Sequence, residues 1–298
     1  MSKIMIINAS WEDRFILGLE KNLAKFDFEN IFMIYCEKFM VQTKINREKA
    51  RVMANEKGIE LREIEVSLYE AKKTWFNLKK FFWNTFDSEA ECFIDISTMP
   101  RDIIWKTLNL LYESKLDINY LYYTPDYKLT EPYDKKWLSR DPGKPRLIYK
   151  LSGIMEYGEK TILIIITGYD VDRVKQLIRY FEPHTTYLGI QTGDQFDNEK
   201  ENKDKFEGEF RNRESIISFN LDAYSEGHGC NEIEVVIKDN ADANILMTSL
   251  GPKLSSIPLF LLKKKYLNTA LVYGPSNEYN PEYSHGIGDL TQGIIKAD

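Results

Sequence analysis

Two short turns in this 298-residue sequence gather the residue types that hold anions. In "FIDISTMPRDIIW", Phe93 to Trp105, an apolar run ends in Asp95, hydroxyls follow at Ser97 and Thr98, and Pro100-Arg101 opens a helical pattern. Backbone N–H groups at a helix start have no helical partner, and proline suits the first helical position. Arg101, on that first turn, is within reach of an anion bound there. The stretch "ILMTSLGPKLSSIP" repeats the arrangement with Thr248, Ser249, Gly251 and Lys253, without a counterpart of Asp95. Gly251 permits a close backbone approach or a positive φ. The same residues also suit a plain helix cap, with Ser97 or Thr98 on the helix start and Arg101 paired to Asp102 or Asp13.

Ser10 and Arg14 form a second cluster. Ser10 reads as a helix N-cap with Asp13 completing a weak capping box, while Arg14 can turn in over a strand edge towards a ligand. Arg173 stands at the matching place in the second half. The tail "YGPSNEYNPEYSHGIGDL" sets Tyr279, Tyr283 and His285 among glycines, a loop able to fold over a ligand as a lid or to close a domain surface. Asp95 and His285 are the candidates for proton transfer, with Arg101, Lys253 and Arg173 for charge stabilisation, if the chain hydrolyses a nucleotide or phosphodiester. His184, His228 and His285 are too dispersed for a metal cluster, and Cys36, Cys92 and Cys230 show no CxxC spacing, so no metal and no disulfide is expected. GxGxxG, GxxxxGK[ST], HExxH and GxSxG are all missing, so no cofactor is expected.

The elements that position these turns alternate. Short apolar runs, "KIMIIN", "IFMIYC", "ELREIEV", "ECFIDI" and "DINYLYYT", are separated by amphipathic helical patterns, and Gly58 ends the second of these as a C-cap. Such an order predicts an α/β fold with a mainly parallel sheet flanked by helices. A second series starts at "TILIIIT", and its features follow the first at near-constant spacing: Arg14 to Arg173 is 159 positions, Pro100 to Pro252 is 152 and Pro125 to Pro275 is 150. An internal duplication follows, giving two tandem Rossmann-like domains over 1–127 and 160–298 with a Pro-containing linker over 128–159. The polar stretch near 194–214 reads as a solvated helix or surface insertion, and "LDAYSEGHGCNEIEVVIKDN" as an interrupted helix.

The net charge of −6 gives no support to binding of DNA, RNA or an anionic membrane surface. "MSKIMIINAS" is too short an apolar run for a signal peptide, and no window approaches a membrane helix, so a soluble cytoplasmic protein is expected.

The turn "ASWEDR" after the first strand and "DISTMPR" after the fourth make residues 1 to about 126 resemble the CRISPR-associated Rossmann-fold (CARF) sensor domains. The resemblance implies that Ser10, Ser97, Thr98 and Arg101 face a nucleotide, typically a cyclic oligoadenylate held between two such domains. It also implies a place in a prokaryotic antiviral defence or stress system. CARF proteins usually carry a nuclease or a DNA-binding helix-turn-helix, and neither an acidic nuclease motif nor a basic recognition helix is seen in this chain. It would therefore act through a protein partner bearing the effector activity, process its ligand itself, or serve as a non-catalytic assembly subunit; a homodimer is compatible with each.

Overall fold

The computed structural model describes residues 2–83, 90–126, 139–192, 199–211 and 213–297. The first half runs β1 (Lys3–Asn8), α1 (Asp13–Lys25), β2 (Asn30–Cys36), α2 (Lys44–Glu56), β3 (Glu60–Val66), α3 (Ala71–Trp83), β4 (Glu91–Asp95), α4 (Arg101–Glu113) and β5 (Ile118–Tyr123). Two short strands follow, β6 (Ser139–Pro142) and β7 (Arg146–Leu147). The second series is β8 (Thr161–Ile166), α5 (Val171–Phe181), β9 (Thr185–Gln191), α6 (Glu199–Phe210), β10 (Ile216–Leu221), α7 (Cys230–Asp239), β11 (Asn244–Ser249), α8 (Ser256–Lys265) and β12 (Thr269–Tyr273), then β13 (Ser276–Tyr279) and β14 (Leu290–Ile295).

The chain divides into two compact units, Met1–Thr130 with Pro281–Asp298, and Glu131–Asn280. Each holds one six-stranded sheet. In the first the order is β14-β5-β4-β1-β2-β3, parallel except for β14, which runs antiparallel to β5. In the second it is β10-β9-β8-β11-β12-β7, parallel except for β7 against β12. Both units thus place their own strands in the order 3-2-1-4-5 with an antiparallel strand beside the fifth. This is the α/β architecture of two mainly parallel sheets flanked by helices that the alternating pattern predicts.

The inner strands β1, β2, β4, β8, β11 and β12 read as nearly unbroken apolar runs because both faces are covered. In the first unit Phe15, Leu19 and Leu23 of α1 and Ala50 and Ala54 of α2 pack with Met5, Ile7, Ile31 and Met33. From α3, Phe81 meets Phe32 edge to face at 5.1 Å. The outer strand β3 carries Glu60, Arg62, Glu63 and Glu65, and Arg47 and Arg51 of α2 bind Glu63. Charge on an edge strand discourages pairing with another chain.

The structure draws the domain boundaries differently from the sequence reading. Residues 139–159 are part of the second unit: Ile148 donates to the Leu271 carbonyl at 2.9 Å, Leu271 to Leu151 at 2.9 Å, and Glu156 N–H to Asn244 Oδ1 at 2.7 Å. Their backbone groups complete the open side of β12, so they are not a free linker; residues 128–138 of that expected linker lie outside the described residues. Pro281–Asp298, assigned by the sequence reading to the second domain, belongs to the first. The reason is the full backbone ladder of β14 on β5, from Leu290 opposite Tyr123 to Ile295 opposite Ile118.

Two helices also differ from expectation. The polar stretch near 194–214 includes α6, whose Phe206 and Phe210 are buried with Leu188 and Ile190. It is a docked helix, and residues 194–198 and 212 of the stretch lie outside the described residues. In place of an interrupted helix, residues 222–229 form a turn with positive φ at Gly227, His228 and Gly229, and α7 starts only at Cys230.

Candidate functional site

In both sheets the strand order reverses between the first and fourth strands of the unit, β1 and β4, β8 and β11. Such a switch point opens a crevice beyond the carboxyl ends of the strands, because the two following helices leave on opposite sides. The turns singled out in the sequence lie at these points, Ser10 and Ser97 to Arg101 in the first unit and Ser249 to Lys253 in the second, where the Gly168 turn after β8 joins them.

In the first unit much of this polarity ties the edge together. Thr98 Oγ1 donates to the Asn8 carbonyl at 2.8 Å, joining the β4 turn to the end of β1. Asp95 Oδ1 accepts from Ser97 N–H at 2.8 Å, and Ser97 Oγ accepts from Tyr123 N–H at 2.8 Å. Asn22 of α1 closes a ring, donating to Asp95 Oδ2 at 3.2 Å while its own Oδ1 accepts from the Tyr123 hydroxyl at 2.9 Å. Burial, reinforced by the Asp95 charge, pushes the Tyr123 hydroxyl up to about 12. Ser10 is not the N-cap of α1; that place is taken by Glu12, whose N–H donates to Ser10 Oγ at 3.2 Å.

Arg14 is buried, and its guanidinium binds the Glu12 carboxylate and donates from Nη1 to the Tyr123 carbonyl at 3.2 Å. Arg173 does the same in the second unit: Nε donates to the Gly274 carbonyl at 3.0 Å, with Asp170 as its acidic neighbour and as the cap of α5. The two contacts are equivalent by register. Ile94 and Met247 oppose Ile6 and Ile164, and Tyr120 and Leu271 oppose Ile94 and Met247, so Tyr123 and Gly274 fall three residues on in each unit. The repeated arginine is therefore a clamp from the first helix to the end of the fifth strand.

The tail residues also meet this edge. The Tyr283 hydroxyl donates to Glu12 Oε1 at 2.9 Å and Ser284 Oγ to Glu12 Oε2 at 3.2 Å. His285 is exposed and uses its carbonyl to accept from Asp126 N–H at 3.0 Å. Tyr279, in contrast, lies on β13 of the second unit, paired with β6.

The second switch point is filled by backbone. A Cβ on Gly168 would stand 2.1 Å from the Leu250 carbonyl oxygen, and one on Gly251 would stand 2.3 Å from that of Thr167. What comes close to Gly251 is the neighbouring loop. Ser249 Oγ shares a 2.6 Å hydrogen bond with Ser255, and Lys253 opens a short 3-10 turn ahead of α8.

The first switch point is furnished differently, with residues to which the sequence reading assigns no ligand role. Asn8 Oδ1 and Trp11 Nε1 are buried with no hydrogen-bond partner. The first turn of α4 adds Asp102, whose carboxylate meets Lys106 Nζ at 3.0 Å, both side chains fully buried. In register, the second unit has Ile166 for Asn8 and Thr248 for Asp95. Counting on from Pro100 and Pro252, it has Leu254 for Asp102 and Pro258 for Lys106. The signal for the ion pair was present in the sequence, as an i, i+4 Asp and Lys on an otherwise apolar helix.

Among the described residues no group of three metal-ligating side chains comes together. No described helix is long and apolar enough to cross a membrane.

No family model matches the chain, and no curated protein matches it. Among solved structures, the cytoplasmic domain of a prokaryotic cation chloride cotransporter aligns over 94% of this chain and 99% of that one, at 7% identity and a TM-score of 0.30. A likeness at that level carries no functional argument.

Proposed function

We propose that the protein binds a nucleotide or another phosphorylated small molecule, and that the first unit holds it at the turn between β4 and α4. The observation that carries this is the contrast between the two switch points. Burying an ion pair costs solvation that well-packed apolar residues of similar size avoid, and the second unit has apolar Leu254 and Pro258 at the positions of Asp102 and Lys106. Buried polar atoms without partners are rare in folded proteins and call for an explanation such as a bound molecule; Asn8 Oδ1 and Trp11 Nε1 are two, at the end of β1 and in its loop, where the second unit has Thr248 Oγ1 on β11. The N-terminus of α4 has Pro100 as N-cap and no side-chain cap, and Arg101 is its first residue. Uncapped N–H groups, the positive end of the helix and a guanidinium together suit a phosphate.

Binding without turnover fits the candidate acids and bases better than hydrolysis. Both Asp95 oxygens accept bonds from the fold, from Ser97 N–H and from Asn22. The resemblance to the CARF sensors extends the proposal to a role in antiviral defence or stress, with the effector activity on a protein partner.

A thermal-shift screen with inorganic phosphate and mono-, di- and cyclic nucleotides tests the reading, since a ligand that binds only the folded state raises Tm with its concentration. At least one phosphorylated compound should raise Tm, and Arg101→Ala should reduce that shift more than Lys253→Ala does. No shift across the panel from a folded protein would sink the proposal.

A further inference from the structure

The segment that returns from the second unit runs beside the proposed ligand turn, and this inference about its role rests on that assignment. At one end, Thr124 N–H donates to the Asp289 carbonyl at 3.0 Å, Gly288 N–H to the Thr124 carbonyl at 2.8 Å, and Asp126 N–H to the His285 carbonyl at 3.0 Å, all just beyond β5. At the other end the hydroxyls of Tyr283 and Ser284 reach Glu12, at the start of α1 and just beyond β1. In the sheet β4 lies between β5 and β1. Glu12 is in turn held by Arg14, whose Nη1 reaches the Tyr123 carbonyl, and Tyr123 N–H donates to Ser97 Oγ, so the segment lies against the end of β5 beside the turn from β4 to α4.

Burial agrees with this path. Loops at the carboxyl edge of an α/β sheet are ordinarily exposed, but Ser97 is 1% exposed, Thr98 9% and Asp95 7%. Glu12 is itself buried at 5%, an anion whose Oε2 accepts from Arg14 and Ser284 and whose Oε1 accepts from Tyr283. Hydrogen bonds to a charged acceptor are the strong kind, so Glu12 is the natural fastening point. Two glycines let the segment lie close: Gly286 has φ +64, and a Cβ on Gly288 would stand 2.3 Å from Thr124 Oγ1.

We propose that residues 283–289 form a strap over the β4–α4 turn, fastened by Tyr283 and Ser284 to the Glu12 carboxylate, and that unfastening it opens the phosphate-ligand site of the first unit. The strap controls access, with Glu12 as a positioning residue that meets no ligand.

The test uses a thiol reporter in the full chain. Thr98→Cys is made in a Cys230→Ser background, since Cys36 and Cys92 are buried, and reaction with an aromatic disulfide reagent is timed with and without the double change Tyr283→Phe and Ser284→Ala. The double change leaves Glu12 and Arg14 paired, so the fold is kept. Unfastening should speed modification of the reporter at least 10-fold, and should speed hydrogen exchange at the Gly288 and Thr124 amides while that of Ile6 and Ile94 stays put. Faster exchange at Gly288 and Thr124 with an unchanged thiol rate would show a strap that does not cover the turn, and would overturn the proposal; so would no change in either. Adding adenosine monophosphate separates the two readings. Protection of the reporter thiol by this probe supports the ligand site, and its failure to protect counts against the ligand alone, because strap and thiol rates are read without it.

Discussion

At the scale of single residues, the polar edge of the first unit is a set of commitments between side chains. Tyr123 shows this most clearly, since its hydroxyl and its carbonyl both hold α1, through Asn22 and Arg14, while its N–H holds the turn after β4, through Ser97. Burial first, and Asp95 second, raise its hydroxyl from 10.0 to about 12. A phenol whose folded pKa is raised contributes stability that is complete below its unfolded pKa and is lost as the pH climbs to the folded one. The loss attributable to Tyr123 therefore falls between about pH 10 and 12. Comparing denaturant midpoints across that interval, Tyr123→Phe should flatten the decline seen in the wild type. An equally steep decline in the variant would show that the hydroxyl is not the titrating group.

At the scale of elements, the two units solve one packing problem in opposite ways. Gly18, inside α1, would with a Cβ stand 3.3 Å from the Tyr123 ring and 3.4 Å from Asp95 Oδ2. Glycine inside a helix costs about 1 kcal/mol relative to alanine, and this one leaves room for the ring. In the second unit Leu177 stands 159 positions on, the same interval that separates Arg14 from Arg173, and the residue facing it is Gly274, whose Cβ would lie 3.2 Å from the leucine. Large and small have changed places between helix and strand. Gly18→Leu should lower stability by about 1–3 kcal/mol or more through overpacking, measured by urea unfolding, and adding Tyr123→Gly should restore part of the loss. A Gly18→Leu protein as stable as the wild type would refute the close fit.

Much of this scale was legible in the sequence. Apolar runs and helical periodicity placed the parallel strands and the helices between them, and the repeat spacing indicated that the units would match. What could not be read was use. Whether Arg14 faces a ligand or the Tyr123 carbonyl depends on which strand ends beside it, and the spacing of residues along the chain does not carry that. The strand "LTQGII" was missed for a related reason. Its alternation is weak, it carries Gly293, and its partner β5 lies some 170 positions earlier.

At the scale of the whole molecule, the first unit is discontinuous and its last strand comes from the end of the sequence. Deleting residues 290–298 would leave β5, "INYLYY", as an uncharged aromatic edge, the kind that recruits other chains. The shortened protein should aggregate at concentrations where the full chain stays dispersed, as followed by light scattering; unchanged scattering together with an unchanged melting temperature would show that β14 is dispensable. The same arrangement fixes an order of synthesis. Domains generally complete themselves from the N-terminus as they emerge, but here the sheet begun by β1 (Lys3–Asn8) receives its sixth strand only from β14 (Leu290–Ile295). The second unit has all its strands in hand before the first does. Until β14 is made, the aromatic edge of β5 has no partner on that side, so the interval between the two strands is the one in which the chain is most open to pairing with another.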